Sequence, residues 1–94
     1  MKFARLYIPQ TPYIPVYKLE ERLVAAFLGY TRLHCGFGAW VAPNGELLKE
    51  PVYVYDVCIE DEHGTCLSEI LEEYKAGANQ TAVLYVLDNK PIFL

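Results

Sequence analysis

No cluster of basic residues occurs in this sequence. Its eight lysine and arginine residues are scattered between Lys2 and Lys90, and twelve acidic residues leave a net charge of −4. Because nucleic-acid backbones bind clustered positive charge, a nucleic acid is not the expected partner.

Long apolar runs are also missing. No stretch approaches the roughly 18–20 apolar residues that cross a bilayer, so no membrane partner is expected. Arg5 and Pro9 interrupt the apolar residues that follow Lys2, so we expect no secretory signal peptide. The three cysteines form no C-x-x-C pair, which favours a cytoplasmic protein with reduced thiols.

Residue types that bind metals are few and poorly spaced for a zinc site, which usually pairs its ligands two to four residues apart. The candidates are His34, Cys35, Cys58, His63 and Cys66. His34 and Cys35 are adjacent in a predicted strand and point to opposite faces. Cys66, with His63 three residues upstream, has the setting of a reactive thiol, but no further motif supports catalysis. We predict neither a metal nor a cofactor.

Apolar residues, in contrast, are abundant and make up 53% of the 94 residues. A chain of this length forms one domain, spanning residues 1–94, with a thin core. A small domain has much surface, so part of the apolar excess is expected on the outside. We therefore expect a homodimer or a higher homo-oligomer.

The spacing of apolar residues predicts a βαββαβ order. We expect strands over Lys2 to Ile8, Thr31 to Val41, Pro51 to Ile59 and Thr81 to Leu87, and helices over Tyr17 to Leu28 and Thr65 to Ala76. This order is typical of an α+β, ferredoxin-like sandwich, an antiparallel sheet with two helices on one face.

The ends of these elements carry their own signals. Gly29 is the expected C-cap of the first helix and Thr65 the expected N-cap of the second. Asn44-Gly45 favours a type I′ hairpin turn. Gly36-Phe37-Gly38 interrupts the second predicted strand, and two glycines within a strand suggest a bulge or a close backbone approach. Pro91 to Leu94 predicts a short additional edge strand.

Both faces of the predicted sheet are apolar. Val52 and Val54 alternate with Tyr53 and Tyr55 along the third strand. Helices cover only one face, and four exposed apolar side chains would forgo roughly 6–12 kcal/mol of burial. We therefore predict that a second subunit covers the other face, with these interface residues: Tyr13, Ile14, Tyr53, Tyr55 and Tyr85.

A set of residues from Phe27 onward resembles a group of small bacterial and phage proteins of unknown function. The matching residues are Phe27-x-Gly29-x-Thr31, Gly38-x-Trp40, Gly45, Glu50, Tyr74-Lys75 and Gln80-x-x-Val83. The resemblance covers about two thirds of the chain. It implies a ferredoxin-like fold and a phage or mobile-element origin, and it carries over no catalytic residues.

Aromatic side chains with a few polar neighbours are typical of small-molecule sites and also suit a nucleotide. We name these ligand-binding candidates: Arg5, Tyr7, Arg32, His34, Trp40, Tyr53, Tyr55, Asp56 and Gln80. Asp56, the one charge in an apolar strand, is either a ligand or catalytic group or the ion-pair partner of Arg5 or Arg32. Ordinary core and subunit packing is the alternative for the aromatic residues.

Three functions follow from these features. The first is a non-enzymatic, homo-oligomeric protein that binds a small ligand, for example a phage protein that sequesters a nucleotide signal. The second is a small isomerase or hydrolase using His34, Asp56 or Glu50. The third is a protein-interaction module that docks through the loop from Pro9 to Val16, in which three prolines favour polyproline II and Tyr13 and Ile14 form the tip.

Overall fold

The computed structural model describes residues 1–33, 36–80 and 82–94. In chain order the elements are β1 (Lys2–Pro9), α1 (Val16–Phe27), β2 (Thr31–Arg32), β3 (Gly36–Val41), β4 (Leu47–Ile59), a 3₁₀ turn (Asp61–His63), α2 (Gly64–Gly77), β5 (Leu84–Leu87) and β6 (Lys90–Phe93). Neither helix of the described residues is long and apolar enough to cross a membrane.

The strands form one antiparallel sheet in the order β2-β4-β1-β5-β6. β3 also pairs with β4, at residues 47–52, whereas β2 pairs with Tyr55 and Asp56. The centre, β4-β1-β5, is the arrangement that two interleaved β-α-β units produce. The predicted α+β, ferredoxin-like fold is therefore confirmed. β6 extends it at one edge, as Pro91 to Leu94 had indicated.

The core lies between the helices and one face of the sheet. Leu6 of β1 is buried between its cross-strand neighbours Tyr55 and Tyr85. Leu19 and Leu23 of α1 close this layer, together with four buried residues of α2: Leu67, Ile70, Leu71 and Tyr74. Their spacing of three and four residues places them on one side of each helix.

This packing corrects two predicted interface residues. Tyr55 and Tyr85 are 0% and 3% exposed and lie under the helices. Tyr53, on the same face, is half-buried against this core. None of the three is on the open face of the sheet, because the helices cover the face that carries the tyrosines.

Both predicted helix caps are wrong. Leu28, with φ 70°, closes α1, and its N–H donates to the carbonyl of Val24 at 2.9 Å. The chain thus turns one residue before Gly29. At the other helix, the 3₁₀ turn leads directly into α2, so the backbone is already helical at Thr65 and His63 occupies the N-cap position.

The hairpin turns also differ from the expected types. Pro43, Asn44 and Gly45 form a three-residue loop between Ala42 and Glu46, and only Gly45 has positive φ, at 87°. Pro43 suits the first loop position, because its fixed φ starts a type I turn that ends in a left-handed residue. The type I′ geometry occurs instead at Asp88-Asn89, with φ values of 53° and 68°.

Strand bounds shift in the same region. β4 begins at Leu47 and contains Pro51. Proline is tolerated there because its backbone nitrogen faces the side of β1, which ends at Pro9, so no ladder hydrogen bond is lost. The Pro51 carbonyl, on the same side, accepts a hydrogen bond from the N–H of Gln10 at 3.0 Å. Gly36-Phe37-Gly38 lies inside β3 instead of interrupting a strand. The close backbone approach that two glycines suggested is present at Gly38, where the indole of Trp40 contacts the backbone. β5 begins at Leu84, and the expected start at Thr81 lies outside the described residues.

The two apolar residues at the tip of the proline loop before α1 differ in burial. Pro15 has polyproline II angles, φ −72° and ψ 143°. Ile14 packs against the core, whereas Tyr13 is 67% exposed. The loop therefore folds over the core through Ile14 and presents Tyr13 to solvent.

Candidate functional site

A cavity of about 730 Å³ opens on the sheet face that the helices leave uncovered. This volume is within the range of small-molecule sites. We call it the back-face groove and define it by six of its aromatic and aliphatic lining residues: Tyr7, Trp40, Val52, Val54, Leu84 and Phe93.

A row of cross-strand neighbours runs through the groove. Val54 pairs with Tyr7, Tyr7 pairs with Leu84, and Leu84 pairs with Phe93, so the row crosses four strands. Each of these residues is adjacent in sequence to a residue on the other face of the sheet, because side chains alternate along a strand. The same alternation that buries Leu6 therefore presents Tyr7 to the groove.

Trp40 of β3 lies over Gly38, two residues earlier on the same face. A Cβ at position 38 would stand 2.6 Å from Cζ3 of the indole and 3.2 Å from Cγ2 of Val52. Glycine is thus the residue that lets the indole pack against the backbone of β3. Trp40 is 39% exposed and presents the rest of its ring to the groove.

Few polar side chains border this apolar lining. Gln80 lines the groove, and its side-chain amide donates to the carbonyl of Ala78 at 3.4 Å, which is a weak bond. This long bond leaves the Gln80 amide able to exchange its partner for a ligand atom.

A carboxylate lies close to one end of the groove. Glu50 occurs on β4 between the lining residues Leu48 and Val52, opposite Gly38. Its Oε1 atom is buried and has no hydrogen-bond partner among the described residues. Burial raises the pKa of Glu50 above its ordinary value of 4.5. Glu50 itself is not a lining residue.

The charge of Glu50 also acts on the hydroxyl of Tyr74. Its hydroxyl donates to the carbonyl of Pro9 at 2.8 Å, and Pro9 lines the groove. Burial, with a smaller contribution from the charge of Glu50, raises the pKa of Tyr74 to about 12. Tyr74 therefore stays a neutral donor over the physiological range.

Arg5 and Asp56 form a two-bond ion pair on the back face, beside the groove. Arg5 Nε and Nη2 donate to the two carboxylate oxygens of Asp56 at 2.7 and 2.9 Å. This bond and the carboxylate charge raise the pKa of Arg5. The ion-pair interpretation of Asp56 is thus confirmed, and neither residue lines the groove.

Three other predicted ligand residues form a separate cluster on the helix side. The Tyr55 hydroxyl donates to Glu20 Oε2 at 2.6 Å, and Arg32 Nη1 donates to the same oxygen at 3.2 Å. The Arg32 guanidinium lies 4.8 Å from the centre of the Tyr53 ring. Burial, followed by the hydrogen bond to Glu20, raises the pKa of Tyr55. This cluster ties β2 and β4 to α1, and the sheet separates it from the groove.

Of the predicted ligand residues, the structure brings Tyr7, Trp40 and Gln80 together in the groove. His34 lies outside the described residues, as does Cys35. Elsewhere in the chain, no three histidine, cysteine or acidic side chains converge as a metal site would require.

Sequence reasoning missed the aliphatic part of the groove. Val54 and Leu84 carry no chemical signal of their own. The available signal was their alternation with buried residues on β4 and β5, combined with the edge strand that brings in Phe93.

Comparisons with known proteins identify a common fold. No protein-family model matches the chain, and no curated protein matches its sequence. A phage SAM lyase in complex with S-methyl-5′-thioadenosine has a similar structure, with a TM-score of 0.75 at 11% identity over 99% of this chain and 88% of that chain. A phage SAM lyase in the apo state gives 0.69 at 12% identity, over 99% and 87%. At these identities the likeness shows the fold alone.

Proposed function

We propose that this protein binds a small ligand of the nucleoside class in the back-face groove. The observation that carries the proposal is the groove itself, a cavity of about 730 Å³ lined by four aromatic residues, Tyr7, Phe37, Trp40 and Phe93, and by aliphatic side chains. Cavities of this size and composition hold small molecules.

The lining chemistry supports a nucleoside more than a purely apolar ligand. The rings of Tyr7, Trp40 and Phe93 offer faces on which a flat base stacks. The amide of Gln80 supplies both a donor and an acceptor, which matches the edge of a purine. A similar fold, in the phage SAM lyase, is found in complex with S-methyl-5′-thioadenosine, a nucleoside with an apolar methylthio group.

Binding without turnover is the first form of the proposal, and sequestering a nucleotide signal for a phage is its proposed role. Asp56, which the sequence offered as a catalytic group, is held by Arg5. A SAM-cleaving enzyme is the second form. The buried and unpartnered Oε1 of Glu50 favours it, together with the likeness to a lyase.

The test compares two exposed phenylalanines on the same face of the sheet. Phe93 lines the groove, whereas Phe3, opposite Cys58, does not. We expect S-methyl-5′-thioadenosine to bind in calorimetric titrations and to change the emission of Trp40. Phe93→Ala should weaken binding by about tenfold, because base–aromatic stacking contributes roughly 1–3 kcal/mol. Phe3→Ala should leave the affinity unchanged.

Equal affinities of the two variants, or no saturable binding of this nucleoside, would contradict the proposed site. Incubation with SAM then separates the two forms. Release of S-methyl-5′-thioadenosine that is lost in Glu50→Gln, while nucleoside binding persists, would establish the enzyme. Binding with no conversion of SAM would establish the binder.

A further inference from the structure

The outer edge of the sheet at β3 is unusually unprotected. In the described part of the chain, no strand lies on the side of β3 away from β4. The strand, Gly36–Val41, contains neither a charged residue nor a proline. Natural edge strands usually carry such residues, because a bare edge is a template for another strand.

The register shows which backbone groups face this edge. The N–H of Ala42 donates to the carbonyl of Glu46 at 2.8 Å, which makes the two residues a hydrogen-bonded pair. Such pairs recur at every second residue of an antiparallel ladder. The N–H and C=O groups of Phe37, Ala39 and Val41 therefore point away from β4.

Side chains along the same edge are exposed and apolar on both faces. Phe37 is 85% exposed and Val41 is 67% exposed, and Trp40 on the opposite face is 39% exposed. A strand that adds to this edge gains backbone hydrogen bonds and covers apolar side chains at once.

We propose that β3 pairs antiparallel with β3 of a second copy of this chain, about a twofold axis at Ala39. This register places Phe37 of each copy opposite Val41 of the other and joins the two sheets into one. The three outward-facing residues of each strand then form the intermolecular ladder. The pairing ends at a dimer and does not continue into a filament, because each copy has one β3 edge and both edges are used.

Charge favours a second copy as the occupant. The paired strands are uncharged, so they meet without repulsion. A basic or acidic peptide would find no matching charge along β3.

This pairing is a different interface from sheet-to-sheet packing. β3 also forms one wall of the groove, which Phe37, Ala39 and Val41 border together with Trp40, so the two grooves of a dimer lie on one continuous sheet. Pairing through β3 does not depend on the ligand, so the oligomeric state of the protein tests it.

The test uses the full chain in native mass spectrometry and sedimentation. Ala39→Pro removes an outward N–H without removing a bond to β4, and Ala39→Lys keeps the N–H but places like charges opposite each other. Ala39→Ser is the matched control. We expect a dimer for the wild type and for Ala39→Ser, and a dissociation constant raised about tenfold or more in both other variants.

Circular dichroism checks that each variant is folded. If Ala39→Pro does not fold, the comparison of Ala39→Lys with Ala39→Ser tests the interface. A wild-type monomer at roughly 100 µM, where a dimer of micromolar affinity would be populated, would overturn the proposal. Undiminished dimerisation of Ala39→Lys would overturn it as well. Loss of the dimer in both variants, with the fold retained, would support this interface whether or not the protein binds a nucleoside.

Discussion

The indole of Trp40 covers the backbone of Gly38 so closely that a Cβ there would stand 2.6 Å from the ring. Gly36, two residues earlier on the same strand, has no atom within 4 Å of a Cβ position. There is therefore room for a side chain at position 36 but not at position 38, although both positions lie in β3.

This difference predicts opposite outcomes for two alanine substitutions. Gly38→Ala should displace the indole and cost about 1–3 kcal/mol, the usual range for overpacking. Trp40 is the only tryptophan, so its emission reports on the displacement directly. Gly36→Ala is the control and should leave the emission unchanged. Identical spectra for the two variants would contradict the described position of the ring.

The partly buried carboxyl of Glu50 predicts a specific dependence of stability on pH. Burial raises the folded-state pKa above 4.5, so the folded protein holds more protons than the unfolded chain just above that pH. The free energy of unfolding should consequently fall as the pH rises from 4.5 through the folded-state pKa.

Denaturant titrations of Glu50→Gln at several pH values test this dependence. The variant should gain stability relative to the wild type as the pH rises through the same window, because the uncharged amide carries no such penalty. Glu46→Gln, an exposed glutamate in the same hairpin, is the control. A constant difference between Glu50→Gln and the wild type from pH 4 to pH 8 would show that burial does not shift this carboxyl.

The hydrogen bond from Tyr55 to Glu20 predicts a loss of stability on removal of one hydroxyl. Tyr55 is fully buried, and its acceptor is a carboxylate. Tyr55→Phe should lower the free energy of unfolding by roughly 1.5–3 kcal/mol, the usual contribution of a bond to a charged group. Tyr13→Phe, at an exposed tyrosine, should change it by less than about 0.5 kcal/mol. Equal effects in chemical denaturation would mean that the bond to Glu20 does not stabilise the fold.

Local patterns predicted most elements but not their ends. The spacing of Leu67, Ile70 and Leu71 identified α2, and alternation identified β1 and β4. The caps failed, because a turn depends on the whole loop: Leu28 takes the left-handed angle although Gly29 follows it. Asn44 likewise avoids positive φ because Pro43 starts the loop in a different geometry.

The candidate site was predicted in part. Tyr7, Trp40 and Gln80 are in the groove, while Arg32, Tyr53 and Tyr55 are on the other side of the sheet. Alternation shows that Tyr53 and Val54 point to opposite faces. It does not show which face the helices cover, so the tyrosines were assigned to the open face.

The sequence alone therefore determined the order of the strands and helices and the apolar character of both sheet faces, because periodicity and composition are local properties. Tertiary structure alone decided that Arg5 meets Asp56, 51 positions away, and that Val54, Tyr7, Leu84 and Phe93 align in one row. Neighbours of this kind depend on the register between strands distant in the chain. A shift of one residue in that register would turn every one of these side chains to the other face.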